Sequence, residues 1–251
     1  MDRDDLASLA GFFAGAEPLV RGGVARLGED AAHHMRVRRL SPGDRVYLAD
    51  GVGGQAVGAI VRFSKKDAEV AIDDVAHFAA APAVHLLVPI ADRDRMLWCA
   101  EKCAELGATS WRPVMWNRSR SVSPRGEGQP FGERVRARMT SALIQSHTPW
   151  LPNVAADAAL ERAVADLPVD GTRLVLDVSG QPIATAALTT PVTIAVGPEG
   201  GMEPAELALL SDASFRTVSL GANVLRFETA AVAALAIVRS ALAASPETTD
   251  G

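Results

Sequence analysis

From residue 84 onward the sequence alternates between continuous apolar runs and helix-forming segments, and this alternation restricts the fold more than any other feature. VHLLVPI (84–90) is apolar except for His85, as expected of a strand buried on both faces. The helical segment RDRMLWCAEKCAELG (93–107) follows, with Gly107 placed to cap its C-terminus. Strand TSWRPVMW (109–116), an arginine-rich loop and helix 132–146 come next, then strands 172–178 and 192–197, helix 203–213, strand 215–221 and a closing alanine-rich helix. Strands alternating with helices define an α/β domain with a mostly parallel sheet. Ligands in such sheets lie beyond the carboxyl ends of strands. Three strands here run into loops of that kind, at 177–180, 197–201 and 220–226.

Before the small-residue linker FAAAPAV (78–84) the rhythm differs. Short strands 44–51, 54–63 and 68–75 at close spacing suggest a small β-barrel. ADGVGG (49–54) mimics a dinucleotide fingerprint, but a strand follows it rather than a helix, so it reads as a hairpin turn. The expected division is therefore a barrel over 1–78 and an α/β domain over 79–251.

In GPEGG (197–201) three glycines permit close backbone approach to a ligand, and Pro198 stiffens the turn. Glu199 disfavours a phosphate; it is open to capping the next helix or to binding a hydroxyl or cation. In SLGANVLRFETAAVAAL (219–235), Arg226 has two readings, an ion pair with Glu228 or projection into a site formed by the glycine turns.

The net charge of −5 speaks against nucleic acid, but its distribution does not. Residues 112–138 hold seven arginines against Glu127 and Glu133, and residues 33–45 hold four arginines against Asp44. Local basic patches govern RNA contact more than the total does. Cys99 and Cys103, four apart on one helix, lack further ligands at metal spacing and read as small apolar residues, with no disulfide and no metal. No run reaches the ~18 residues of a membrane helix, because Arg239 interrupts the best candidate. The N-terminus is acidic where a signal peptide is basic, so a cytoplasmic protein is expected.

Taken together, AVGPEGGMEPAEL and SLGANVLRFETAAVAAL resemble the paired signature of the RsmE family of bacterial ribosomal RNA methyltransferases, within the SPOUT class. HHMRVRRLSPGD (33–44) is similar to the family's segment in a PUA-like barrel, EKCAELGATSWRPVMWNRS (101–119) to its second motif, and IQSHTPWLPNV (144–154) partly to its third. The resemblance implies S-adenosyl-L-methionine bound in a deep trefoil knot, a homodimer that completes the site, and methylation of uridine N3 in 16S ribosomal RNA, free or within the assembled small subunit. Carried over, the cofactor residues are Asp177, Val196, Gly197, Glu199, Gly200, Gly201, Leu220, Gly221 and Leu225. Arg226 and Arg118 are the catalytic candidates, and His34, Arg36, Arg38, Arg39, Lys102 and Arg120 the RNA-binding ones. Lys102 and Glu105 are equally readable as an ordinary helix pair, and the general base is not identified. Ile144, Thr148, Pro149, Ala222, Asn223 and Phe227 depart from the family pattern, and the lost charges are expected on the RNA side. The alternatives are a SPOUT enzyme acting on tRNA or a ribose 2′-hydroxyl, and a catalytically silent RNA-binding assembly factor. A nicotinamide dehydrogenase is disfavoured because the first strand–helix turn of the α/β domain lacks a glycine fingerprint.

Overall fold

The computed structural model describes residues 6, 8–15, 17–119 and 125–244. The chain divides into two compact units, 1–80 with 140–151, and 81–139 with 152–251. A single cut after residue 78 therefore does not capture the first unit, because residues 140–151 pack with it.

In the first unit, β1 (Ala10–Phe13), β2 (Val24–Leu27), β3 (Arg45–Ala49), β4 (Gly54–Phe63) and β5 (Ala68–His77) form a five-stranded sheet in the order β1-β3-β4-β5-β2. β4 and β5 pair along their full length with register shifts at Val57/Gly58 and Ile60/Arg62. Such bulges bend and twist a sheet, which curls this one around its core. A Cβ on Gly58 would stand 2.1 Å from the Ala71 carbonyl oxygen, so only glycine permits the first shift. Helix α1 (Glu29–Val37) is absent from the strand-based reading of this region. It is short and buries only Ala32 and Met35, and its signals are the acids Glu29 and Asp30 in the first turn. Ile144 packs in an apolar cluster with Tyr47, Leu143 and Leu151. In this chain that departure is a packing residue.

The second unit contains β6 (Val84–Pro89), α2 (Arg93–Glu105), β7 (Ser110–Met115), α3 (Gln129–Ser146, which passes into the first unit from Thr140), β8 (Asn153–Val154), β9 (Ala158–Ala159), α4 (Leu160–Ala165), β10 (Thr172–Pro182), β11 (Val192–Val196), α5 (Pro204–Asp212), β12 (Arg216–Ser219) and α6 (Phe227–Ala244). Its strands run in the order β12-β10-β11-β6-β7-β8, with β9 also on β7, and every pairing is parallel. The chain inserts β11 between β10 and β6 and then returns outside β10 as β12. All five residues of β11 are buried, four of them apolar with Thr193 the exception.

Helix α6 is long and apolar enough to cross a membrane by length and composition alone. Its buried residues Phe227, Ala230, Ala231, Ala234, Leu235 and Val238 recur at helical spacing and face α2, β6 and β11, so this is a core helix. Arg239 interrupts the apolar run because its guanidinium donates to the carbonyls of Pro82 and Gly107. Cys99 and Cys103 are free and fully buried on one face of α2 with their Sγ atoms 3.8 Å apart, and they act as small apolar residues.

Candidate active site

Three loops, the irregular stretch 177–180 within β10 and those after β11 and β12, meet at one cavity of about 260 Å³. Its wall takes Leu176, Asp177 and Val178 at the first of these, and Val196 at the end of β11 with Gly197, Pro198, Glu199, Gly201 and Met202 at the second. Leu220, Gly221, Asn223, Val224 and Leu225 come from the third, and Phe227 and Ala230 from the head of α6. Of the nine sequence-derived cofactor residues, only Gly200 lies behind the lining.

Each loop has a local cause. Asp177 Oδ1 accepts hydrogen bonds from the Ser179 N–H (2.9 Å) and hydroxyl (2.6 Å), which bends the chain at the irregularity within β10. The β10–β12 register skips from Leu176 to Gln181. Gly180 makes this possible, since a Cβ there would stand 2.5 Å from the Val218 nitrogen. In the second loop Gly201 (φ 75°) closes a turn by donating to the Pro198 carbonyl at 2.9 Å.

The N-cap of α5 is Glu203, which resolves one of the two roles open to Glu199: it is not the cap. Glu199 lies on the cavity wall and faces Arg95, with Nη1 to Oε1 at 3.5 Å. Arg95 also approaches Glu228, with Nε to Oε1 at 4.0 Å. Glu228 is thus paired with Arg95, and of the two readings open to Arg226 the ion pair with Glu228 is not formed among the described residues. Arg226 is exposed at the mouth, its carbonyl accepting the Ala230 N–H at 2.9 Å to begin α6. Its side chain does not line the cavity.

Arg118 is committed to the glycine turn: Nη1 donates to the Gly200 carbonyl at 2.9 Å, and Nε lies 3.8 Å from Glu203. Beside it the Asn117 side chain donates to Glu203 at 3.0 Å and its backbone N–H to Glu206 at 2.8 Å. Lys102 bonds Glu105 at 2.7 Å and Glu101 at 2.9 Å, the ordinary helix pair; the Glu105 bond first, then the Glu101 bond, holds its pKa above the usual lysine value. In the first unit His34, Arg36, Arg38 and Arg39 are all exposed on or just after α1. The His34 ring meets the edge of Phe12, and burial, then the charges of Arg38 and His33, lower its pKa. Arg120 lies outside the described residues.

Two departures from the family pattern, Asn223 and Phe227, line the cavity, and Phe227 is 2% exposed. They therefore bear on what the cavity holds. Arg95, Asn117 and Glu206 were not singled out from the sequence. The partners of Arg95 and Asn117 are distant along the chain, whereas Glu206 also accepts the N–H of Glu203 three residues away, a capping-box spacing that is a local signal.

A parallel α/β sheet with three loops around one cavity is the frame of an RNA methyltransferase domain, and the family model of that description matches residues 79–239. A second model, the RNA methyltransferase PUA domain, matches residues 27–73. The chain is 30% identical over 219 residues to ribosomal RNA small subunit methyltransferase E of Synechocystis sp., covering 84% of this chain and 71% of that protein. It is 29% identical to the protein of the same name from Mycobacterium bovis, covering 84% of each. The crystal structure of that methyltransferase from Neisseria gonorrhoeae bound to S-adenosyl methionine superposes with a TM-score of 0.84 at 26% identity, covering 93% of this chain and 98% of that one. The chain belongs to the ribosomal RNA small subunit methyltransferase E family.

Proposed function

We propose that this protein uses S-adenosylmethionine to methylate N3 of a uridine in small-subunit (16S) ribosomal RNA. The convergence of three loops on one cavity carries the reading. The donor set fits the cofactor: Leu176, Val196, Phe227 and Ala230 offer apolar surface to an adenine, and the glycine-rich loops offer backbone groups. Asp177 and Glu199 bring carboxylates suited to ribose hydroxyls and a cationic sulfonium, and among the described residues the wall contains no lysine or arginine that would call for a phosphate. When bound, the cofactor supplies an electrophilic methyl group.

The chain's own residues have three tasks. The loops hold the methyl donor in line with the acceptor, and positioning supplies much of the rate. Arg226, exposed at the mouth, stabilises the negative charge left when uracil N3 loses its proton. The basic surface around Arg36, Arg38 and Arg39 holds RNA phosphates while the target base is turned out of its stack. Two further points follow from the family resemblance. A homodimer is supported by Val224, an apolar residue of the cavity wall that is 85% exposed. A deep trefoil knot is supported by the insertion of β11 between β6 and β10 before the chain returns as β12.

Mass mapping of nucleosides from 16S RNA, with and without this protein, tests the reading. N3-methyluridine appearing only with active protein is expected. A methyl group on tRNA or on a ribose hydroxyl would move the target, and RNA binding without transfer would indicate an assembly factor.

A further inference from the structure

The Arg95 side chain lies between carboxylates carried by two different loops of the cavity. It projects from the first turn of α2, where Asp92 Oδ1 caps the helix by accepting the N–H groups of Asp94 and Arg95 at 3.1 Å. Glu199, at 3.5 Å, belongs to the glycine turn between β11 and α5. Glu228, at 4.0 Å, stands in the first turn of α6, directly after the loop from β12 and beside the cavity residue Phe227. The Glu228 side chain is only 12% exposed, and among the described residues its Oε2 is buried without a hydrogen-bond partner. Arg95 is thus the cation offered to a carboxylate that has little access to water. A buried charge whose single partner is removed is costly, because no solvent replaces it. The Arg95–Glu199 half differs: both side chains are 40% exposed, so solvent and salt weaken it.

We propose that Arg95 is a positioning residue that ties the glycine turn to the head of α6 and so fixes the width of the cavity. The geometry suits arginine, whose planar guanidinium presents several N–H donors and can address two carboxylates at once, whereas a lysine ammonium is a point charge. Helix α2 is a fitting anchor: its buried residues Met96, Cys99, Ala100, Cys103 and Ala104 hold it in the core, so the guanidinium starts from a fixed backbone. The inference rests on the adenosylmethionine reading for its ligand but not for its first observable, the mobility of the loops.

Hydrogen exchange of the ligand-free protein is that first test. In Arg95→Met, amides in 197–203 and 220–228 exchange about tenfold faster than in wild type, the scale of losing a partly exposed ion pair together with a more buried one. Arg95→Met with Glu228→Gln recovers part of the protection over 220–228, since a neutral amide no longer requires the cation. Arg95→Lys falls between wild type and Arg95→Met. Unchanged exchange in Arg95→Met, or no recovery in the double variant, overturns the proposal even if the protein binds no cofactor.

Calorimetry with S-adenosylmethionine and its neutral demethylated product, S-adenosylhomocysteine, is the second test. A positioning role weakens both ligands in Arg95→Met by a similar factor, again about tenfold. A purely electrostatic role would tighten the cationic ligand alone, because a repelling positive charge has been removed, and that result would also refute the proposal. Absence of heat with wild-type protein would instead remove the cofactor reading.

Discussion

The backbone N–H of Asn117 donates to Glu206 Oε1 at 2.8 Å across 89 residues of sequence. The other oxygen of the same carboxylate accepts the N–H of Glu203, the N-cap of α5, at 2.7 Å. Glu206 is 6% exposed, so its carboxylate is satisfied by these two N–H groups rather than by water. It joins the end of β7 to the helix that follows the glycine turn, and a cavity wall is thereby held from behind. Glu206→Ala leaves two N–H groups without an acceptor and is expected to cost about 2–4 kcal/mol. Glu206→Gln keeps an acceptor and is expected to cost about 1 kcal/mol. Urea unfolding of the two variants measures the difference, and equal losses would contradict the shared-acceptor account.

Gly200 and Gly201 are required for different reasons. A Cβ on Gly200 would lie 3.0 Å from Arg118 Cβ, while Gly201 has φ 75°, a conformation that side chains other than glycine adopt at a cost. Gly200→Arg must displace Arg118 and is expected to abolish adenosylmethionine binding. Gly201→Ala is expected to weaken it by about fivefold, corresponding to roughly 1 kcal/mol of backbone strain. Calorimetry on folded variants distinguishes a lost ligand from a lost fold.

Arg118 and Arg226 were matched as catalytic residues from sequence, yet their surroundings differ. Arg118 is bonded to the Gly200 carbonyl at 2.9 Å, whereas Arg226 is exposed beside the cavity residues Leu225 and Phe227. Arg118→Ala is therefore expected to weaken the cofactor, with a smaller effect on turnover at saturation. Arg226→Ala is expected to reduce turnover about 10²-fold at unchanged cofactor affinity, the scale of losing one charge-stabilising donor. Single-turnover rates with saturating cofactor, set beside calorimetry, separate the two roles.

These contrasts mark what the sequence makes legible. Buried parallel strands are largely apolar on both faces, so β6 and β11 are visible as apolar runs broken only by His85 and Thr193, and the glycines that let loops approach one another are visible beside them. The convergence of the three loops follows from the topology that places β11 between β6 and β10, information that no local pattern holds. The partners of Arg95 and Asn117 are hidden for the same reason: an arginine on a helix surface looks alike whether it faces water or two carboxylates. Helix α1 is hidden because a short helix with only Ala32 and Met35 buried has almost no periodicity to detect.

The basic surface of the first unit gives a prediction that does not involve the cavity. Arg36, Arg38 and Arg39 are exposed and lie within four residues of one another. Replacing all three with alanine is expected to weaken RNA binding at every sequence tested and to reduce the slope of log affinity against log salt by about 2, at ~0.7 per single-stranded phosphate contact. Cofactor affinity is expected to stay unchanged. Filter binding across a salt series measures the slope, and an unaltered slope would place the RNA elsewhere.

Acid stability depends on His85, which pairs with Ser110 across β6 and β7, its Nδ1 lying 2.8 Å from the serine hydroxyl. Burial first, and the charge of Arg239 second, hold its pKa below the ordinary value of 6.5. The unfolded chain therefore binds a proton at a higher pH than the folded chain does. The stability that comes from keeping His85 neutral is complete above 6.5, declines as pH falls from there towards the lower folded pKa, and changes no further below it. His85→Gln retains a hydrogen-bonding side chain without a titrating group. It is expected to reduce the loss of stability between pH 7.5 and pH 5 relative to wild type, with His34, whose pKa is also lowered, accounting for part of what remains. Urea midpoints at the two pH values measure the difference, and parallel pH profiles for wild type and His85→Gln would remove His85 as the cause.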